Sequence, residues 1–172
     1  GADILSRSIV KVTGPKTDQE PFGTGFVCAL GDDVAYIVTC QHVVDDIRAE
    51  QQDGEPSRHL WVDGHPAEVI AHSCRYLDLA VLRVPGLTGR DPLPLKVGAA
   101  TDGAFRTRGF FFRADLGQGG MQDRSLDGRL GDENGLDTCA ADEHANGERY
   151  RVWEYRIDRV ESVTGGGEDW FA

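Results

Sequence analysis

The sequence predicts an all-β fold, and three features predict it. Short apolar or alternating runs cover residues 8–12, 25–30, 35–39, 59–62, 67–71, 79–84 and 106–112, each of strand rather than helix length. Asp-Gly or Asn-Gly recurs at Asp53-Gly54, Asp63-Gly64, Asp102-Gly103, Asp127-Gly128, Asn134-Gly135 and Asn146-Gly147, and these dipeptides supply the positive φ that tight hairpins need. Helical character is confined to residues 43–52.

Six of the strand-like runs precede Pro85-Gly86, enough to close one six-stranded barrel over residues 1–86. Residues 87–94, with Gly89, Pro92 and Pro94, read as a linker. A second unit then occupies residues 95–172. Within it, residues 114–147 are rich in Gly, Asp and Asn with little periodicity, which predicts a long loop or a ragged hairpin pair. Residues 150–164 alternate again and predict one long strand or two short ones.

A chain of 172 residues with 40% apolar content can bury a core in one compact domain or two small fused barrels. The net charge of −11, with 18 scattered Lys and Arg, argues against a nucleic-acid partner, because phosphate binding draws on clustered cations. Acidity keeps such a chain soluble; it also attracts basic protein substrates. No run approaches the ~18 apolar residues of a membrane span, so no membrane partner is expected. Gly165-Gly166-Gly167 and Gly23-x-Gly25 are not followed by the helix that a phosphate or dinucleotide site requires, and no cofactor is implied.

The four cysteines, Cys28, Cys40, Cys74 and Cys139, form no dense framework and read as free thiols. Cys40-x-His42 and His72-x-Cys74 invite a zinc reading, but structural zinc uses pairs two to four residues apart on a tight knuckle. Cys40 and His42 instead sit at a strand end, and Cys28 and Cys40 lie in apolar runs where cysteine behaves as a small hydrophobe. Buried thiols are the expectation, with no metal site. His59, His65, His72 and His144 are expected at the surface.

The chemistry concentrates in Tyr36-Ile37-Val38-Thr39-Cys40-Gln41-His42-Val43-Val44 and in Leu77-Asp78-Leu79-Ala80-Val81-Leu82. A histidine closing an apolar strand is often only a core residue. Asp78 changes the odds, since an unpaired carboxylate opening an apolar strand is costly. A buried Asp78 accepting the Nδ1 proton of His42 resolves both, fixes the tautomer and aims Nε2 outward.

With Gly23-Thr24-Gly25-Phe26 preceding them, these motifs resemble the trypsin-like (chymotrypsin-fold) serine peptidases, particularly bacterial members. Leu95-Lys96-Val97-Gly98 and Arg108-Gly109-Phe110 look like the opening strands of that family's second barrel. The resemblance implies two six-stranded antiparallel barrels of chymotrypsin type, the second incomplete in this chain, and a hydrolase acting on protein or peptide substrates. His42 corresponds to the general base and Asp78 to its orienting carboxylate. In secreted members a cysteine directly follows that histidine. Val43 stands there instead, which implies a reducing, cytoplasmic setting.

The nucleophile of that family is not recognisable. No Gly-x-Ser-Gly occurs in the 172 residues; Ser6, Ser8, Ser57 and Ser73 come too early, Ser125 lacks flanking glycines, and Ser162 lies in a strand-like alternation. Residues 164–172 resemble the run that leads into the family's serine turn. The expectation is therefore an N-terminal part of a trypsin-like serine endopeptidase, with the serine just after residue 172 and a complementary C-terminal segment or further domains of the same protein as its partner. The alternatives are a catalytically inactive peptidase fold used as a protein-binding or regulatory module, and a hydrolase acting on a non-peptide ester.

Overall fold

The computed structural model describes residues 4–15, 22–49, 60–73, 77–96, 103–113, 120–136 and 150–162. Six strands alternate inward and outward residues and close on themselves: β1 (Ile9–Thr13), β2 (Phe22–Gly31), β3 (Val34–Thr39), β4 (Leu60–Val62), β5 (His65–His72) and β6 (Ala80–Pro85). Their order around the barrel is β1-β2-β3-β6-β5-β4, with β4 pairing back onto β1 through Val12↔Val62 and Thr13↔Trp61. Every described pairing is antiparallel.

The two-residue period of a strand sends Val10 and Val12, Ala35 and Ile37, and Leu82 and Val84 to one side, and all six are fully buried. Leu60, Val62 and Val27 complete the barrel interior. A helix of nine residues, α2 (Gln41–Ala49), follows β3 and adds Val44 and Ile47 to the same core. A shorter helix, α1 (Ile4–Ser8), precedes β1 and was not expected from the sequence, because five residues carry too little periodicity to read.

The Asp63-Gly64 turn forms as the dipeptide predicts, with φ of 46° and 82°. Asp63 does more than turn the chain. Its carboxylate accepts the Lys11 amide at 2.9 Å and pairs with Arg90, while its own amide donates to the Lys11 carbonyl at 3.0 Å. The hairpin tip is thereby tied to β1 and to the segment that leaves the barrel.

Beyond the barrel lies a three-stranded antiparallel sheet, β7 (Ala104–Arg113), β8 (Gly120–Leu136) and β9 (Tyr150–Ser162), in that order. The sequence predicts a long loop or a ragged hairpin pair over residues 114–147; across their middle β8 runs for 17 residues and pairs antiparallel with both β7 and β9, so the loop alternative fails there. Asp127-Gly128 and Asn134-Gly135, expected as turns, are inside that strand. The physical reason is visible at Gly128. A register shift falls between Asp127 and Gly128, and a side chain at Gly128 would run into the Arg156 carbonyl and the Phe105 ring. Glycine there serves a bulge and a close approach rather than a hairpin. Asp127 sits directly across from Arg106 and takes a two-pronged hydrogen bond from it at 2.6 and 3.1 Å.

Leu95 and Lys96 lie outside any strand, and Leu95 is two-thirds exposed, so the strand expected to open the second unit does not begin there; residues 97 and 98 lie outside the described set. Among the described residues no helix is long and apolar enough to cross a membrane.

Thr24 joins the two parts. Its hydroxyl oxygen accepts the Phe110 amide at 2.8 Å. Gly109 permits the approach, because a Cβ there would stand 3.0 Å from that oxygen.

Candidate active site

The strand β3 ends at Thr39, whose buried hydroxyl donates to the Thr24 carbonyl at 2.8 Å and anchors the strand's end to β2. The chain then turns directly into α2. His42 is consequently the second residue of a helix, a correction to its expected place at a strand end. The first turn of α2 has free N–H groups, no acidic residue, and Cys40 where a Ser, Thr, Asp or Asn would cap it.

Asp78 supplies the missing cap from another part of the chain. It precedes β6 in a left-handed conformation, φ 51°, which short polar residues tolerate best. Its Oδ1 accepts the His42 amide at 2.8 Å, and its Oδ2 lies 2.5 Å from His42 Nδ1. The Gln41 amide donates to the Asp78 main-chain carbonyl at 3.1 Å. Ser73 closes the loop from the other side, its amide donating to the Leu79 carbonyl at 2.7 Å and its hydroxyl accepting the Leu79 amide at 2.8 Å.

Asp78 is less buried than expected. Its side chain is 33% exposed and that of His42 is 62% exposed. Partial burial, the largest single influence, pushes the Asp78 carboxyl upward. The amide and ring of His42, helped by the Gln41 amide, outweigh it and hold the group below the usual carboxylate range. An ionised carboxylate only accepts hydrogen bonds, so Nδ1 of a neutral His42 is the donor and Nε2 carries the free lone pair. The tautomer follows from the partner.

Cys40 belongs to the same cluster. Burial raises its thiol pKa, and the charge of Asp78 and a hydrogen bond to it raise it further. Cys40 Sγ and the ligand atoms of His42 and Asp78 all lie within 4.8 Å of one another. Cys40 and Cys28 are half-buried rather than buried, and both are unpaired; Cys28 occupies a bulge of β2 and donates to the Tyr36 carbonyl at 3.3 Å. Cys74 and Cys139 lie outside the described residues.

Gly23 sets the height of α2 over β2, since a Cβ there would come within 2.5 Å of Val43. Of the other histidines, His65 is half-buried on β5 and His72 is exposed, while His59 and His144 lie outside the described residues. Ser8 donates to the Ile4 carbonyl at 2.9 Å and Ser125 to the Thr107 carbonyl at 3.3 Å. The backbone of Ser162 ends β9, and residues 163–172 are outside the described set.

No protein-family model matches the sequence, and a search of curated proteins finds no match. Solved structures do match. The chain is similar to the active form of the Rv3671c protease from M. tuberculosis, with 22% identity and a TM-score of 0.51 over 90% of this chain and 61% of that one. The inactive form of the same protease matches at 23% identity and a TM-score of 0.51, covering 90% of this chain and 68% of that one. The chain thus spans about two thirds or less of the structures it resembles. Their likeness, with the closed six-stranded barrel and the partial second sheet, gives this chain a fold of chymotrypsin type.

Proposed function

We propose that this chain is the N-terminal part of a trypsin-like serine endopeptidase in which His42 is the general base and acid and Asp78 its orienting carboxylate. The observation that carries the reading is the double hold of Asp78 on His42, at the amide and at Nδ1, which leaves Nε2 as a base on an exposed ring. In the reaction, Nε2 takes the proton of an attacking serine hydroxyl and returns it to the leaving amine. Asp78 stabilises the imidazolium formed between those steps.

The serine and its oxyanion-holding amides are assigned to a complementary segment beyond residue 172, and the substrate is a protein or peptide. The similarity to a protease of which this chain covers only 61–68% is compatible with this division. The unpaired Cys28 and Cys40 support a reducing, cytoplasmic setting.

The test is labelling by a fluorophosphonate probe. A chain extended by its natural continuation is expected to label, and its His42→Ala variant is not. Residues 1–172 alone are expected to remain unlabelled; labelling there would locate a nucleophile within the chain and sink this account.

A further inference from the structure

Thiol, imidazole and carboxylate converge at the one histidine that the proposed function employs. Cys40 comes from the end of β3, His42 from the first turn of α2 and Asp78 from the turn before β6, and their three donor atoms lie within 4.8 Å of one another. The sequence spacing of Cys40 and His42 alone excluded a zinc knuckle. Folding adds the third donor, 36 positions away.

The donor set selects the ion. Calcium and magnesium take oxygen ligands, whereas thiolate, imidazole and carboxylate together suit zinc. Zinc bonds of about 2.0–2.3 Å place tetrahedral ligands roughly 3.4–3.6 Å apart, inside the 4.8 Å limit of the cluster. The gap from His42 Nδ1 to Asp78 Oδ2, now 2.5 Å, must widen, and the imidazole that must move is mostly exposed. Oδ1 of Asp78 stays on the His42 amide, so the helix cap survives. Three protein donors with solvent at the fourth position is the count of an accessible rather than a sealed site.

We infer that Cys40, His42 and Asp78 form a zinc-binding site whose occupancy switches off His42 as a base. The proton balance explains the switch. Zinc bonds to Cys40 Sγ and the thiol proton leaves to solvent; zinc bonds to Nδ1 and the single proton of the neutral imidazole passes to Nε2. A protonated Nε2 cannot accept the proton of a nucleophile. The binding site rests on the three side chains alone, and its inhibitory consequence rests on the function proposed above.

Binding is tested without any activity. Co2+ titrated into the reduced 172-residue chain is expected to develop a thiolate-to-metal charge-transfer band that Zn2+ abolishes and excess Mg2+ does not. Cys40→Ser is expected to lose the band, and His42→Gln to weaken Co2+ binding at least about 10-fold, the lower end of what losing even an outer-shell partner causes. Circular dichroism spectra matching the wild type are the check that both variants fold. No band in the wild type, or an equal band in Cys40→Ser, overturns the site. In the extended protein, Zn2+ is expected to slow fluorophosphonate labelling of the wild type and to spare Cys40→Ser. Zinc binding that leaves labelling unchanged overturns the switch while leaving the site and the peptidase reading intact.

Discussion

Asp78 accepts the main-chain amide of His42 at 2.8 Å and stands 2.5 Å from the same residue's Nδ1. One carboxylate therefore both caps the helix that carries the histidine and dictates which ring nitrogen holds the proton.

The two roles separate on substitution. Asp78→Asn keeps an oxygen for the amide but no longer imposes the tautomer. It is expected to lower the labelling rate of the extended protein by about 10⁴-fold and to give up only the stability that the carboxylate's charge supplies. Asp78→Ala also removes the cap and is expected to cost about 0.5–2 kcal/mol, measured by urea denaturation.

Acid should weaken the fold through the same residue. The folded pKa of Asp78 is lowered, so its contribution is fully present above the ordinary carboxylate value of about 3.9 and is lost as pH falls through the lower folded value. Between those values the wild type should lose stability as the solution is acidified. Asp78→Asn should lose less over that window, as followed by thermal melts.

Gly23→Ala tests the seat of α2. Its methyl would press on Val43, the neighbour of His42, and overpacking of this kind costs about 1–3 kcal/mol. Pairing it with Val43→Ala makes room and should recover most of that stability in a double-mutant cycle. Additive losses would show that the contact does not hold the helix.

Asp63 ties the β4–β5 hairpin to Lys11 and Arg90 while sitting at positive φ. Asp63→Ala loses the partners and the conformational tolerance together, and hydrogen bonds to charged groups are worth about 1.5–3 kcal/mol each. Asp63→Asn keeps the turn and the Lys11 bond and should lose clearly less. Equal losses would place the effect in the Arg90 pair alone.

The barrel was legible because local and global signals agree in it. Val10, Val12, Ala35, Ile37, Leu82 and Val84 alternate in the sequence and alternate into the core, and Asp63-Gly64 turns where its dipeptide demands. His42 and Asp78 were legible as a pair because each is anomalous beside an apolar strand. Two strands of the second sheet were legible, the run 106–112 inside β7 and the alternation over 150–164 that forms β9; the middle strand was not. That strand, β8, is polar, with Asp127 answered by Arg106 from the neighbouring strand, and a cross-strand partner leaves no trace in local periodicity.

What the sequence determined by itself was the all-β class, the count of barrel strands and the two residues of the candidate site. Tertiary structure decided the rest of the site. It placed His42 on a helix that lacks its own cap and brought Asp78 to that cap, half exposed rather than buried. It also set Cys40 against the same carboxylate. Contacts of this kind are made by backbone direction at the end of β3 and by a left-handed turn before β6, and neither is encoded in the spacing of residue types along the chain.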